Sequence, residues 1–433
     1  MRYFVPLLLS ASASSALAGS PCEFDWQTLG SGIGGSVYAT EIFEHNGERL
    51  LVVGGTFTVA DGAPADYVAA WDGEQWGPLG DGTPYAVLDL HVFDDGSGPE
   101  LVAGLSMSVP GKDTGVRVVR FDGQNWTAVG GGMNGDVWAL ETFDAGSGPE
   151  LIAAGRFTAA SGAAVSRIAR LDGDQWLPLA DGVDDDVYAL EAANLTGQLA
   201  LYAGGSFDVA GNGASPRIAK WDGSEWSSVA LGIESGPVWA LATALVSGQS
   251  VLAVGGTFTG PVGEEAPHLA FWNGTTWSEG ATNPDGPVFV LHTAAIGSSE
   301  ALFVGGEFTE IAGVPAQRTA QLSDGIWEPL GAGLDGRPVD FASSDTDDGF
   351  ELIAGGFFDF AGGQAAGNVA VWRQPGRDCP GDLNSDGEVG LSDLNVVLAF
   401  FGGSESLADA NCDGSVNLAD LNLVLAAFGS ACR

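Results

Sequence analysis

The chain has 433 residues, of which 56 are acidic and 15 basic, giving a formal net charge of −41 at pH 7. Nucleic acid and anionic membranes attract basic surfaces, so this charge argues against both classes of partner. The length suffices for a large core and a small additional module.

The first 18 residues have the pattern of a secretory signal peptide. Arg2 supplies the positive charge, an apolar stretch covers residues 4–9, and Ala16, Leu17 and Ala18 form a small-residue cleavage site. A short membrane anchor is the alternative, but the apolar run is too short to span a bilayer. We therefore predict cleavage after Ala18 and a soluble protein, secreted or held at a cell surface.

An internal repeat begins after the signal peptide. In its fourth copy, apolar runs at residues 187–190, 201–205 and 217–221, and a run around Trp226, predict four short strands. A period this regular is typical of stacked or radial supersecondary units. The period is 50 residues with one step of 51, marked by Trp26, Trp76, Trp126, Trp176, Trp226, Trp277 and Trp327.

Two glycine signals accompany the strands. A turn pair such as Asp222-Gly223 joins the last two strands, because both turn residues of a tight hairpin must accept positive φ. A Gly pair ends the second strand in most copies, although the second copy keeps only Gly104 and the third only Gly155. The pairs are Gly54-Gly55, Gly204-Gly205, Gly255-Gly256, Gly305-Gly306 and Gly355-Gly356.

The repeat resembles the kelch repeat in the order of its features: four apolar residues, a Gly pair, an aromatic residue, a turn and a Trp. This resemblance implies the blades of a β-propeller. The seventh copy ends at Val371-Trp372 without a closing strand, whereas a strand around Trp26 precedes the first copy. We predict that residues 25–30 complete the last blade, since this removes two free sheet edges. The predicted fold class is mainly β, with a seven-bladed kelch-like propeller over residues 23–373.

Two side-chain types recur at fixed positions of the repeat. Basic residues begin the third strands; they either pair with acidic loops such as residues 184–186, which we favour, or form a surface for an anionic or sugar ligand. Aromatic residues in the first strands either pack between blades, which is commoner, or line a sugar-binding channel. The basic residues are Arg117, Arg167, Arg217, His268 and Arg318, and the aromatic ones are Tyr38, Trp138, Tyr188, Trp239 and Phe289.

The sequence predicts no catalytic or cofactor-binding residues in the propeller. Its four histidines, His45, His91, His268 and His292, lie in different copies without metal-ligand spacing. The copper oxidases built on kelch-like propellers need a Cys-linked Tyr, and the blades contain no cysteine. No nucleophile elbow, Walker loop or dinucleotide fingerprint occurs in a fitting context. Carboxylates are abundant, so an enzyme that uses them stays open as an alternative.

A linker predicted at residues 374–378 leads to two loops with the spacing of EF-hand calcium ligands. Residues 382–393 and 409–420 each place oxygen ligands at loop positions 1, 3, 5 and 12, with Gly at position 6. Position 7 contributes a backbone carbonyl in both loops, and position 9 of the second loop adds an amide. The predicted ligands of two calcium ions are Asp382, Asn384, Asp386, Glu388, Asp393, Asp409, Asn411, Asp413, Ser415, Asn417 and Asp420.

A helical period follows each loop, with an apolar face at Leu394, Val397, Leu398 and Phe401 that recurs 27 residues later. Duplicated loop–helix units with Asp at position 12 resemble the type I dockerin domain, here residues 379–433. The resemblance implies docking to a cohesin-like or cell-surface protein. The alternative is a pair of Asp-Gly-rich loops without metal.

The four cysteines predict two disulfides, since an even number in an exported chain is typical of disulfide-bonded proteins. Three connectivities are possible among Cys22, Cys379, Cys412 and Cys432. We favour a Cys379–Cys432 bond that brackets the dockerin-like segment; a Cys22–Cys379 bond would instead lock the propeller closure.

These predictions describe a secreted, non-catalytic binding protein. Its propeller would take a polysaccharide or protein ligand, and its C-terminal domain would bind calcium and anchor the chain. A carbohydrate-active enzyme that degrades polysaccharides, and a purely structural surface protein, are the alternatives.

Overall fold

The computed structural model describes residues 25–45, 47–106, 115–262, 265–279, 283–296, 299–346, 349–375, 381–384, 389–403, 408, 410 and 416–429. The predicted signal peptide, the four cysteines and residues 376–378 of the predicted linker lie outside these ranges. The described residues form two compact units, one built from the strands between Asp25 and Gln374 and one from the C-terminal segment.

The first unit consists of seven four-stranded antiparallel sheets. First strands are Val37–His45, Val87–Phe93, Val137–Phe143, Val187–Asn194, Val238–Val246, Val288–Ile296 and Arg337–Thr346. Second strands are Glu48–Gly55, Glu100–Leu105, Glu150–Gly155, Leu199–Gly205, Gln249–Gly256, Ser299–Gly306 and Gly349–Phe357.

The outer half of each sheet is shorter. Third strands are Val68–Trp71, Val118–Phe121, Ile168–Asp172, Ile218–Trp221, Leu269–Trp272, Thr319–Ser323 and Val369–Pro375. Fourth strands are Trp76–Pro78, Trp126–Ala128, Gln175–Pro178, Trp226–Ser228, Trp277–Glu279, Ile326–Pro329 and, for the seventh sheet, Asp25–Thr28.

Short two-stranded ribbons form within the loops that connect second and third strands. They pair Val59–Ala60 with Ala63–Pro64, Ala159–Ala160 with Ala163–Ala164, Val209–Ala210 with Gly213–Ala214, Glu310–Ile311 with Val314–Pro315, and Phe360–Ala361 with Gln364–Ala365. One further ribbon pairs Ile233–Glu234 with Gly260–Pro261.

The sheets close into a ring of seven blades. The first strand of each sheet contacts the first strands of both neighbouring sheets, and the strand at Arg337–Thr346 contacts the one at Val37–His45. Side chains of the first and seventh blades also share a core cluster, in which Leu51 and Trp76 pack with Ile353 and Val371. The predicted mainly-β, seven-bladed propeller is therefore confirmed.

The N-terminal strand completes the seventh blade, as the orphan strand around Trp26 predicted. Asp25–Thr28 pairs antiparallel with Val369–Pro375, and Trp26 lies opposite Trp372. Trp26 is fully buried, and its indole N–H donates to the carbonyl of Leu330 on the sixth blade at 2.9 Å. The two ends of the propeller chain are thus held in one sheet, so no blade lacks its outer strand.

The closing tryptophans join neighbouring blades. The indole N–H of Trp76 donates to the carbonyl of Leu29 at 2.9 Å, and that of Trp226 donates to Leu179 at 3.0 Å. In both cases, the acceptor lies 47 residues earlier, on the preceding blade or its closing strand. The ring fills the space between blades and, in these tryptophans, the indole N–H finds a carbonyl partner, whereas the indole N–H of Trp277 is buried without one.

The Gly pair is required by two different close approaches. A Cβ on Gly204 would lie 2.5 Å from Val238 on the next blade, whereas a Cβ on Gly205 would lie 2.1 Å from the carbonyl oxygen of Asp186 on its own first strand. Neither space admits a side chain, so the pair reports blade-to-blade packing and strand-to-strand packing.

The Asp-Gly turns differ from the prediction of two residues with positive φ. Both residues of Asp324-Gly325 have positive φ, but at Asp222-Gly223 only the glycine does. The carboxylate of Asp222 instead accepts hydrogen bonds from the N–H groups of Ser224 and Glu225, at 2.8 and 2.9 Å. This side-chain turn holds the loop without left-handed backbone at the aspartate.

The C-terminal unit contains two helices, Leu391–Phe400 and Leu418–Ala426, at the predicted places. The N–H of Gly402 donates to the carbonyl of Val416, and 27 residues away that of Gly429 donates to Val389, both at 2.8 Å. Each of the two loop–helix repeats thus donates an equivalent hydrogen bond to the other, which is the pattern of a pseudo-twofold arrangement. Within the described ranges, neither helix is long and apolar enough to cross a membrane.

The apolar face of each helix is narrower than predicted. Val397 and Val424 are fully buried, but Leu398 and Leu425 are 52% and 51% exposed. Val397 and Val424 share one small core with loop residues such as Leu383, Val389 and Val416, so one column of apolar residues per helix suffices to cover it.

Candidate ligand-binding site in the central channel

A cavity of about 580 Å³ lies in the channel between the first strands of the blades. Several first strands contribute three consecutive residues to its lining, because the pairing register shifts at a β-bulge near the start of each of these strands. The cavity is lined by side chains from these strands, together with residues that precede a first strand or follow a Gly pair. Its size falls within the roughly 300–1,000 Å³ typical of small-molecule sites.

Aromatic side chains form one wall of the cavity, and we name Trp138, Tyr188, Trp239 and Phe289 the aromatic wall. The ring centroids of Tyr188 and Trp239 are 4.2 Å apart in a stacked arrangement, and those of Trp138 and Tyr188 are 5.0 Å apart. All four side chains are only half-buried. The favoured packing between blades and the lining of the channel therefore both occur: each ring packs against a ring of the neighbouring blade, and its exposed part faces the cavity.

Charged groups stand beside the aromatic rings. The guanidinium of Arg156 lies 5.4 Å from the ring centroid of Trp138 and 3.7 Å from the carboxylate of Asp186. The guanidinium of Arg337 lies 4.5 Å from the ring centroid of Phe289 and 4.9 Å from that of Phe357. The cavity therefore offers donors and acceptors at the edges of apolar surfaces.

A second set of titratable groups lies three residues further along the first strands, buried beyond the residues that line the cavity. We name them the inner ring: Glu41, His91, Glu141, Glu191 and His292. Burial raises the pKa of Glu141 to about 8 and that of Glu41 to about 7. Burial also raises the pKa of Glu191 and lowers the pKa values of both histidines to about 4.

Two aspartates lie between the aromatic wall and the inner ring along the strands. Burial raises the pKa of Asp340 to about 6 and that of Asp89 well above its usual range, and the Asp340 carboxyl adds to the effect at Asp89. Low dielectric and neighbouring carboxyls both favour the neutral form. The channel is thus an environment that resists negative charge.

These titratable groups also connect the blades, because each bonds to the next blade around the ring. Glu41 and Glu141 accept from the backbone N–H groups of Val92 and Ala192. The remaining contacts are Leu140 N to Asp89 Oδ2 at 2.6 Å, Thr40 N to Asp340 Oδ2 at 2.6 Å, Thr243 N to Glu191 Oε1 at 2.9 Å, His91 Nε2 with Thr142 Oγ1 at 2.7 Å, and His292 Nε2 with Ser343 Oγ at 2.8 Å. These bonds satisfy groups on the unpaired inner edge of the next blade's first strand.

The repeated arginines contact groups of the propeller itself, and one of them, Arg167, pairs with the acidic loop as favoured from the sequence. Arg167 lies 3.8 Å from Asp185 and 3.9 Å from Asp186, in the predicted acidic loop of the neighbouring blade. Arg117 is 1% exposed and donates to the carbonyl of Val116 at 2.7 Å. Arg217 donates to the carbonyl of Ser206 at 2.7 Å and pairs with its own blade rather than with a neighbour.

The backbone explains why this position stands out in the repeat. It has left-handed φ in six blades, at Tyr67, Arg167, Arg217, His268, Arg318 and Asn368. In each of these blades, its N–H donates to the carbonyl of a buried Phe ten residues earlier.

Five of the predicted calcium ligands lie among the described residues, and two of them are fully buried. The carboxylate of Asp393 accepts from the backbone N–H groups of Leu383, Asn384 and Gly390 at 2.8, 3.1 and 2.8 Å. The carboxylate of Asp420 accepts from the N–H of Asn417 at 2.7 Å. Asp393 therefore brings the beginning and end of the first loop together. Asn384 and Asn417, which donate two of these bonds, are two further predicted ligands. The last of the five, Asp382, is half-buried at the start of the first loop.

The donor set suits a hard cation, since it consists of carboxylate and amide oxygens. The other six predicted ligands, Asp386, Glu388, Asp409, Asn411, Asp413 and Ser415, lie outside the described residues. Among the described residues, no three His, Cys, Asp or Glu side chains are close enough together to hold a metal ion. Calcium binding thus stays a prediction.

Comparison with known proteins gives similarity of fold only. No protein-family model matches the chain. No curated protein matches it either. Among solved structures, BBS1N in complex with ARL6DN has a TM-score of 0.48 and 12% identity, over 82% of this chain and 98% of that one. Raptor from Chaetomium thermophilum has a TM-score of 0.43 and 13% identity, over 81% of this chain but only 29% of its own length.

The inner ring was missed by reasoning from sequence, although a signal for it exists. Glu41, His91, Glu141 and Glu191 are spaced by 50 residues, the same period as the tryptophans. The histidines lack the spacing of metal ligands, and 56 acidic residues in the chain make any single carboxylate inconspicuous. Aligning the repeats column by column would have placed them together.

Proposed function

We propose that this chain is a secreted, non-catalytic binding protein whose propeller takes its ligand in the central channel and whose C-terminal unit anchors it. The observation that carries the proposal is the cavity of about 580 Å³, with four half-buried aromatic side chains on one wall. Half-buried aromatic surface in a concave site gains free energy when a ligand covers it.

The anchoring half of the proposal rests on the duplicated loops. The C-terminal unit would bind two calcium ions through its eleven predicted ligands and dock onto a cohesin-like or cell-surface protein. The buried carboxylates at position 12 of both loops support this, because an ionised carboxylate is costly to bury without a counter-charge. Calcium would supply that charge and hold the two loops closed.

Binding rather than hydrolysis is favoured by the bonding of the channel carboxyls. Asp89, Glu141 and Asp340 accept hydrogen bonds from the backbone of the neighbouring blade. A carboxyl held in this way maintains the ring and is not free to protonate or attack a substrate. The carbohydrate-active enzyme is thus the weaker candidate.

The mature protein should be incubated, with calcium, with a series of soluble and insoluble polysaccharides. We expect saturable removal of the protein from solution by at least one of them, without release of new reducing ends. Release of reducing ends would establish the enzyme instead. Neither binding nor release by any polysaccharide or secreted protein would leave a structural surface protein.

A further inference from the structure

The ligand of the channel must satisfy three features of the cavity at once: an apolar wall, polar groups at its edge, and charges of both signs around it. The aromatic wall spans four consecutive blades, from Trp138 to Phe289, with neighbouring ring centroids 5.0, 4.2 and 6.1 Å apart. The rings pack on one another, so the wall presents mainly ring edges to the cavity, and a ligand with an apolar face can cover these edges and remove them from water.

A cationic ligand is disfavoured by the guanidinium groups. Arg156 lies over Trp138, and Arg337 lies over Phe289 and Phe357, so the protein's own cations occupy the ring faces that would attract a ligand cation. A second positive charge at the same faces would be repelled.

An anionic ligand is disfavoured by the carboxyls. Asp89, Asp186 and Asp340 line the cavity, and burial raises the pKa of each. An anionic ligand would bring a further buried negative charge beside these carboxyls, in a protein whose net charge is already −41.

The remaining class is a neutral ligand with an apolar face and polar edges. We infer that the channel cavity binds a neutral pyranose oligosaccharide, with the C–H faces of its sugars packed on the exposed ring edges of the aromatic wall and its hydroxyls bonded to the Arg156–Asp186 pair. The guanidinium and carboxylate of that pair lie 3.7 Å apart, so they can donate to one hydroxyl and accept from its neighbour. This inference rests on the proposed binding function and specifies its ligand.

Calorimetric titration of the mature protein tests the inference. The probes are neutral tetrasaccharides of glucose, mannose, xylose and galactose, with oligogalacturonate as the anionic and chitosan oligomers as the cationic comparison. We expect at least one neutral probe to bind and both charged series to bind more weakly. Trp239→Ala should weaken that binding about tenfold or more, as expected for loss of one stacking ring.

Three further variants separate the site from general damage. Phe360→Ala removes an aromatic side chain that is 47% exposed outside the channel and should leave affinity unchanged. Trp239→Phe, which keeps a stacking ring if Trp239→Ala does not fold, should retain most of the affinity. Arg156→Gln should weaken binding of the neutral sugar severalfold.

The outcomes separate the two proposals. A charged series that binds more tightly than every neutral probe, and loses affinity in Trp239→Ala, would overturn the neutral-sugar inference but leave the channel as a binding site. Neutral binding that is unchanged in Trp239→Ala would overturn both, since the sugar would then lie elsewhere. Absence of binding by every oligosaccharide would overturn the inference, and the polysaccharide and protein screen would then decide whether the channel binds anything.

Discussion

Single atoms decide several positions of the repeat, and the second glycine of each pair is the sharpest case. A Cβ on Gly205 would lie 2.1 Å from the carbonyl oxygen of Asp186. Backbone cannot yield as a flexible side chain does, so we expect Gly205→Ala to lower the free energy of unfolding by about 3 kcal/mol. Gly213→Ala in the same blade is the control, because its Cβ would meet nothing within 4 Å. Equal stability of the two variants in urea denaturation would contradict this account.

The inner ring makes stability depend on pH in a direction that can be worked out. The pKa values of Glu41 and Glu141 are raised to about 7 and 8 in the folded protein, so these carboxyls hold protons that the unfolded chain has released. Their contribution to stability is complete below the unfolded pKa and is lost as pH rises through the folded pKa. His91 and His292, with pKa values lowered to about 4, act oppositely, but only below the ordinary histidine pKa.

Between pH 6.5 and 8, the folded histidines are neutral, whereas the unfolded ones are half protonated at pH 6.5 and lose that charge, which offsets only part of the carboxyl effect. We therefore expect the free energy of unfolding to fall by about 1–2 kcal/mol over this interval. The Glu191 carboxyl raises the pKa of Glu141, and the Asp340 carboxyl raises that of Glu41. Because the pKa values of Glu191 and Asp340 are raised as well, these two groups also make stability fall as pH rises. Glu141→Gln should flatten the profile in urea titrations at the two pH values. Stability that rises with pH there would show that these carboxyls are ionised in the folded protein.

The loop–helix unit is a smaller structure with a small core of its own. Its helices contribute Val397 and Val424 as fully buried side chains, and the loops supply the rest. The proposed calcium ions would supply a counter-charge to two buried aspartates, so we expect calcium removal from the full chain to accelerate hydrogen exchange in both helices. Exchange in the blade strands should not change, because their hydrogen bonds do not involve the loops.

Calorimetric titration with calcium provides the count. The parent chain should bind two ions and Asp382→Ala one, since that carboxylate occupies position 1 of the first loop. Asn395→Ala changes an exposed helical residue and should still bind two ions. A parent chain that binds fewer than two ions would remove the basis for the calcium prediction.

The propeller as a whole depends on closure, since each blade buries its faces against two neighbours. Trp26 connects the ends of the ring because it pairs with Trp372 in one blade and donates to Leu330 on another. Replacing this fully buried ring with a methyl group should cost about 3–5 kcal/mol, and the loss should appear as one cooperative transition of the whole ring.

Trp26→Phe is the matched variant for closure. It keeps most of the ring volume and removes the indole N–H, so the loss should be smaller than in Trp26→Ala. Thermal unfolding by calorimetry compares the three proteins. A Trp26→Ala variant that melts with the parent would mean that the first strand does not hold the ring together.

The repeat period of the sequence predicts much of the architecture. Seven tryptophans at a fixed spacing and an unpaired strand at each end of the repeat region predict a closed ring, because free sheet edges are unfavourable. The helices were equally predictable from their period. These features repeat locally, and a local pattern needs no knowledge of distant contacts.

The direction in which a side chain points, and the residues it contacts, are by contrast decided only by tertiary packing. Trp239 and Glu141 have ordinary strand neighbours in sequence, and only the closed ring turns Trp239 toward the channel and places Glu141 against the backbone of the next blade. The same holds for Leu398, which the helical period assigned to a core that proved too small to cover it. The channel and its perturbed pKa values arise where seven strands converge, so they depend on distances between residues that lie 50 or more positions apart in the chain.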